Sequence, residues 1–176
     1  MQPFYMLAGV DLRLADDDSD TRALTLTKLA LPPLKLAKAT HDPAGGVGAV
    51  GFVMPRLEEL SPKAEIAGLD ERFISLIGIK QDYEFAKSWQ DKETGEYFAA
   101  RGEISGVLLS WEPDEAGGGA ELHKCNHEWA EVTRYSYYIN ERRIFDYNFF
   151  AKEAWFGDND LLADFRRSLG LGGTRG

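Results

Sequence analysis

Residues 97–139 open with Tyr97-Phe98-Ala99-Ala100-Arg101-Gly102-Glu103-Ile104-Ser105-Gly106-Val107-Leu108-Leu109-Ser110-Trp111. A break follows at Glu112-Pro113-Asp114-Glu115-Ala116-Gly117-Gly118-Gly119, and a second long run extends from Glu121 to Ile139. Two β-type runs joined by a Pro- and Gly-containing acidic tip read as an extended hairpin. Working upstream, Tyr83 to Trp89 reads as a strand reaching this hairpin through Asp91-Lys92-Glu93-Thr94-Gly95. Downstream, Asn140-Glu141-Arg142-Arg143 turns into a run from Ile144 to Trp155. Short β-runs separated by turn signals at close intervals give a mainly antiparallel β architecture rather than a helical bundle.

The N-terminal half repeats the pattern. Phe4 to Leu14 alternates at Val10, Leu12 and Leu14 against Asp11 and Arg13, a half-buried strand; the acidic Asp16–Asp20 cluster then reads as a solvated turn. Arg22 to Leu31 is a second strand. Pro32-Pro33 removes two backbone donors and marks an edge, bend or bulge. Alternation resumes at Leu34, Leu36 and Lys38, turns at His41-Asp42-Pro43-Ala44-Gly45-Gly46, and returns from Val47 to Met54, which makes a second long hairpin. Arg56 to Pro62 reads as a loop. Asp70 caps a short helix carrying Phe73, Ile74 and Ile77, with Gly78 near its end. A closing helix is capped by Asp158 or Asn159, lined by Leu161, Leu162, Phe165 and Leu169, and stopped at Gly170.

Composition excludes several classes. With 176 residues the chain fits one domain, residues 1–176, able to bury a core. A single cysteine excludes a disulfide-stapled scaffold. No basic residue precedes Arg13 and no long apolar segment follows, so no signal peptide is expected. The longest apolar run, Gly45 to Met54, falls far short of the ~20 residues of a membrane helix. With 20 Lys+Arg against 29 Asp+Glu the net charge is −9, the wrong sign for gripping phosphates by counterion release.

Motifs that carry chemistry do not survive their context. Gly46-Val47-Gly48-Ala49-Val50-Gly51 matches G-x-G-x-x-G, but a turn precedes it and Phe52-Val53-Met54-Pro55 opens no helix. His123, Cys125 and His127 fall on one strand face, yet consecutive same-face residues lie ~7 Å apart, too splayed for one small ion. Cys125 lacks a strand-to-helix elbow. Glu58, Glu59, Glu103, Glu112, Asp114 and Glu115 read as an acidic surface rather than a catalytic pair. Tyr135, Tyr137, Tyr138, Trp129 and Trp155 either fill a sandwich core or line the cavity of a small ligand-binding β-barrel. The long hairpins themselves are the informative feature, because open strand edges are normally paired or covered. They point to pairing with neighbouring copies.

The order of features resembles the major tail tube proteins of contractile-tailed bacteriophages, the lineage shared with R-type pyocins and other tailocins. The resemblance runs from Leu31-Pro32-Pro33-Leu34 through the Gly45-Gly46 turn. It continues through the Gly68–Gly78 helix and the Glu96–Gly102 stretch to Arg166-Arg167-Ser168-Leu169-Gly170-Leu171. Asp16–Asp20 and the Glu112–Gly119 tip depart from the usual pattern. The tube protein of a type VI secretion apparatus shares the architecture and is the alternative reading; the Arg-Arg…Gly-Leu ending favours the phage side.

The resemblance implies a β-sandwich or barrel with a short flanking helix and a C-terminal helix. Its two long hairpins would form part of an inter-subunit β-barrel. It also implies hexameric rings stacked into a hollow tube inside a contractile sheath, within a virion tail assembled in the bacterial host cytoplasm. DNA would pass through without specific binding, or ions and effectors in a tailocin. The implied partners are other copies, the tail sheath protein, a tape measure protein in the lumen, and baseplate and tail terminator proteins. No catalytic residue, cofactor or metal is implied. Glu103, Ser105, Glu121 and His123 are the lumen-facing candidates. Arg56, Glu58, Glu59, Asp114, Glu115, Arg166 and Arg167 are the candidates for ring-to-ring contact.

Overall fold

The long hairpin at residues 97–139 is the spine of the molecule in a computed structural model that describes residues 3–171. In chain order the elements are β1 Tyr5–Leu14, β2 Leu26–Ala30, β3 Leu36–His41, β4 Val50–Leu57, β5 Lys63–Ala67, α1 Glu71–Ser75, β6 Lys80–Asp91 and β7 Tyr97–Pro113. They continue with β8 Lys124–Ile139, β9 Arg142–Asn148, β10 Glu153–Phe156, β11 Asn159–Asp160 and α2 Ala163–Ser168. The main sheet runs β1-β6-β7-β8-β9-β10-β11, with β2 on β5 and β5 on β8; β3 and β4 form a separate two-stranded sheet. The architecture is mainly β, as the sequence pattern requires, and the described strands do not close into a barrel.

β8 serves two neighbours in succession. Its first half pairs with β5 (Ala67↔Lys124 to Lys63↔Glu128), and its second half pairs with β9 (Arg134↔Asn148 to Ile139↔Arg142). Between them the register against β7 jumps from Ser105↔Arg134 to Val107↔Ala130, a bulge that holds Glu131 at φ 49°. Gly106 makes the bulge possible: a Cβ there would sit 3.0 Å from the Ala130 carbonyl oxygen. Gly102 is stricter still, because a Cβ would lie 1.9 Å from the Ser136 carbonyl oxygen and 2.5 Å from Phe85 Cζ. The turn from β8 to β9 has two residues, Asn140 and Glu141, both with positive φ, as a type I′ hairpin demands.

The core lies between the inner face of β1-β6-β7-β8 and a cover formed by β2, β5 and α1. Leu12, Leu14, Tyr83, Phe85, Ile104, Leu108, Trp129, Tyr135 and Phe145 meet Leu26, Leu60, Ala64, Ile66 and Phe73 there. Phe73, Tyr83 and Trp129 pack edge to face. The void beside Tyr83 and Trp129 is only about 10 Å³, so these two rings fill the core, whereas Tyr138 lines an open concavity of about 910 Å³ with Glu84, Arg101 and Glu103. Tyr137 is partly buried against this core, whereas Trp155 lies under the Arg143 guanidinium.

Several expectations need correction. The second strand begins at Leu26 rather than Arg22, because residues 22–25 make a turn in which Thr25 and Leu26 donate to the Arg22 carbonyl. β4 starts at Val50 and runs on through Pro55 and Arg56 to Leu57; the proline is accommodated where the register slips between Leu36 and Lys38. β5 carries Lys, Ala and Glu, poor strand formers, and is a strand because β2 and β8 flank it. The Ile144–Trp155 run splits at a turn around Phe149–Lys152, with Lys152 at φ 56°. Neither Asp158 nor Asn159 caps α2: Leu162 occupies the cap position without a side-chain bond, and Asn159 belongs to β11.

The acidic cluster is also more anchored than a solvated turn. Arg22, 5% exposed, donates to Asp20 at 2.6 Å and Asp70 at 2.5 Å, and lies 3.6 Å over the Phe73 ring. Arg72 pairs with Asp17 at 2.8 Å and Asp20 at 3.2 Å. Hydrogen bonds from Ser19 and Arg72 draw the Asp17 carboxyl down to about 2. Asp70 caps α1 as expected, accepting from the Phe73 N–H at 3.0 Å.

Candidate assembly surfaces

The surface that most needs a partner is the β3–β4 arm. Among the described residues its strands pair only with each other, in the register Lys38↔Val53, Ala39↔Phe52, Thr40↔Gly51 and His41↔Val50. Directly opposed residues share a face, so Ala39, His41, Val50 and Phe52 lie on one side and Lys38, Thr40, Gly51 and Val53 on the other. Val50, Phe52, Val53 and Met54 are all exposed. At the turn the Gly46 N–H donates to the Pro43 carbonyl at 2.9 Å, and a Cβ at Gly46 would strike the Pro43 ring. A lone two-stranded ribbon is marginal in water, and one bearing large apolar side chains calls for a covering surface.

The β7–β8 hairpin supplies a second open edge. β6 pairs with β7 only as far as Val107. Beyond it β7 meets an isolated bridge, Ile77↔Leu108, and a register slip leaves Leu109 exposed. The outer face here is a mixed ladder. Glu65 accepts from Thr27 and Lys28, which, with Lys124 at 3.4 Å, holds its carboxyl down at about 2. Lys63 meets Glu128 at 3.2 Å. The inner face buries Cys125 and His127; His127 is 1% exposed, touches Phe73 and Trp129, and finds no partner for either ring nitrogen. Burial pushes its pKa down, against the pull of Asp70. His123 precedes β8 and is exposed, so the three residues read as one strand face are parted.

The lumen candidates fall into two groups. Glu103 and Ser105 stand on the first half of β7, where Glu103 faces Arg134 at 3.9 Å and the Ser105 hydroxyl donates to Asp82. Glu121 and His123 lie in the tip loop, lining a concavity together with Asp114 and Glu115. The inter-ring candidates are likewise dispersed. Arg56 stands next to the end of β4, and Glu58 and Glu59 follow that strand, all exposed. Arg166 is engaged with Asp160 and donates to the Lys152 carbonyl at 2.8 Å. Arg167 is exposed and pairs with Asp164 at 2.6 Å.

One surface escaped the sequence reading. Phe4, Tyr5, Met6 and Leu7 are exposed, and within β1 the burial begins only at Val10. The unbroken apolar run Phe4–Val10, distinct from the alternation after it, is the signal that marks it.

No curated protein matches the sequence. A chain in the structure of the sheath/tube terminator of the extracellular contractile injection system PVC superposes with a TM-score of 0.53 at 8% identity, covering 78% of this chain and 98% of that one. A chain in the extended PVC sheath–tube complex gives 0.50 at 10% identity, covering 74% and 88%. A chain in the anti-feeding prophage baseplate gives 0.50 at 11%, covering 78% and 94%. These likenesses concern the fold. The model of the phage tail tube protein FII family matches residues 17–170, which spans both hairpins, α1 and α2. The chain belongs to the phage tail tube protein FII family.

Proposed function

We propose that this protein assembles into hexameric rings that stack into a hollow tail tube inside a contractile sheath. As a member of a structural family it is a tail tube subunit and not an enzyme. The observation that carries the assembly is the β3–β4 arm, a sheet of its own with Val50, Phe52, Val53 and Met54 in water. Burying a fully exposed side chain of this kind is worth about 1.5–3 kcal/mol, and these four, 44–67% exposed, have roughly half of that still to gain before the cost of association is subtracted. In the proposed ring the arm and the β7–β8 hairpin of successive copies join into a continuous inner β-barrel, which removes the open edges.

The lumen of that barrel carries Glu103, Ser105, Glu121 and His123, and rings meet through Arg56, Glu58, Glu59, Asp114, Glu115 and Arg167. Arg166 contributes by bracing α2 against Asp160. A tape measure protein occupies the lumen during assembly, a baseplate starts the tube, a terminator ends it, and the sheath grips its outside. The likeness to chains from sheath–tube, terminator and baseplate structures supports the sheath, terminator and baseplate as neighbours. The net charge of −9 favours passage of DNA without adhesion. The finished tube would be part of a virion tail built in the host cytoplasm.

Electron microscopy of the purified protein over a concentration series tests the proposal. Six-membered rings or hollow stacked tubes are expected. A monodisperse monomer at every concentration would overturn it.

A further inference from the structure

We infer that the arm turns Lys38 and Thr40 to the lumen and lays Val50 and Phe52 against the core side of a neighbouring copy; this rests on the tube reading and adds two residues to its lumen. The two faces of the arm are chemically unequal. Its register puts Lys38, Thr40, Gly51 and Val53 on one face and Ala39, His41, Val50 and Phe52 on the other. The first face holds the only charged residue of these four pairs, with Val53 as its one large apolar side chain. The Lys38 stem runs across it, 3.5 Å from where a Cβ on Gly51 would stand. The second face carries Val50 and Phe52, which the subunit leaves 53% and 57% exposed.

The hairpin that the arm joins in the tube reading has the same division. Glu103 and Ser105 on β7, and Asn126 and Glu128 on β8, stand on its outer face. Ile104, Leu108, His127 and Trp129 stand on its core face. At the open edge of β7, Ile77 is bridged to Leu108, shares that core face, and is still 40% exposed.

Strands that pair edge to edge form one pleated sheet, so each face of the arm continues a face of the hairpin beside it. A one-residue slip exchanges the faces, which leaves two arrangements. One sets Lys38 in line with Leu108 and Trp129, where its charge is buried without a partner, and leaves the Phe52 ring in water. The other continues the core face with Val50 and Phe52, next to Ile77, and the polar face with Lys38 and Thr40. The second arrangement is the lower in free energy, because it buries the apolar side chains and keeps the ammonium wet. Glu103 and Ser105 are lumen residues of the tube reading, so the face continuous with them is luminal.

Thiol accessibility tests this orientation. Ala39 and Thr40 are chain neighbours on opposite faces, both are exposed in the subunit, and the one native cysteine, Cys125, is buried. Ala39→Cys and Thr40→Cys proteins are each assembled into tubes and treated with a small charged thiol reagent. Thr40→Cys is expected to react about tenfold faster than Ala39→Cys in tubes, and at the same rate in unassembled subunits. Equal rates in tubes, or the reverse order, would overturn the orientation and leave the tube reading standing. Micrographs of Val50→Asp and Thr40→Asp give an independent readout: the first should lose rings and tubes and the second keep them, and the opposite pattern would overturn the orientation. Monomers from the wild type at every concentration would overturn the tube reading itself.

Discussion

His127 shows how a single side chain can register the solution conditions. Its ring is buried between Phe73 and Trp129 with both nitrogens unpartnered, and desolvation lowers its pKa below the ordinary histidine value despite Asp70. The unfolded chain takes up this proton near pH 6.5 and the folded chain does so only at lower pH. Its contribution to stability is therefore complete above about pH 6.5 and is lost as the pH falls toward the depressed folded value. Stability to urea of the wild type should weaken progressively as the pH falls below about 6.5, and His127→Leu should flatten that slope. An identical slope in the variant would show that another group titrates there. Arg22 is a different case. Its charge is shared between Asp20 and Asp70 and covered by Phe73, so it joins the acidic loop to α1 rather than serving as a free cation.

At the scale of elements, the arm and the core answer to different demands. β6, β7 and β8 alternate because one face meets the core, and that pattern is legible residue by residue. The arm breaks this logic, with apolar residues on both faces and no interior to enter. Its value to the isolated subunit should be small. Val50→Ser combined with Phe52→Ser is expected to shift the unfolding free energy by no more than about 0.5 kcal/mol, as for other exposed positions. The same pair should abolish rings and tubes in negative-stain images. Tubes of normal appearance would remove the arm from the assembly, whereas a large stability loss would mean that it packs on its own subunit. The strands at β1, β3, β6, β7 and β8 were readable because period two or turn chemistry marks them. β5 was not, because Lys63-Ala64-Glu65-Ile66-Ala67 becomes a strand only between β2 and β8. The α2 start was missed because no side chain caps it; Asp160 instead accepts from Leu162 and holds Arg166.

For the whole molecule, charge is the property that scales with assembly. Every copy brings −9, so the proposed stack of rings would carry a strong negative field. Fluorescence anisotropy of a labelled DNA duplex titrated with assembled tubes at about 0.1 M salt should stay flat, since phosphate contacts need a basic groove to release counterions. Saturable binding under those conditions would contradict an acidic, non-adhesive lumen. The candidate lumen residues illustrate why a sequence cannot draw such a surface. Glu103 and Ser105 share the first half of β7, while Glu121 and His123 share the tip with Asp114 and Glu115.

The sequence by itself determined what depends on neighbours along the chain. It set the mainly β class, the two long hairpins, the Asp70-capped helix and the family order, because side-chain alternation, turn residues and caps are local. Tertiary structure decided what depends on residues far apart. The bend of β8 at Glu131 follows from how Gly106 lets another strand pass. The burial of His127 and Cys125, and the exposure of His123 two residues earlier, follow from where β5 ends its pairing. The core-facing side of β1 is covered only from Leu12 onward, where it packs with Leu26, Leu60 and Phe73 from distant parts of the chain. No local pattern encodes where a cover ends, since that is set by the packing of strands distant in the chain.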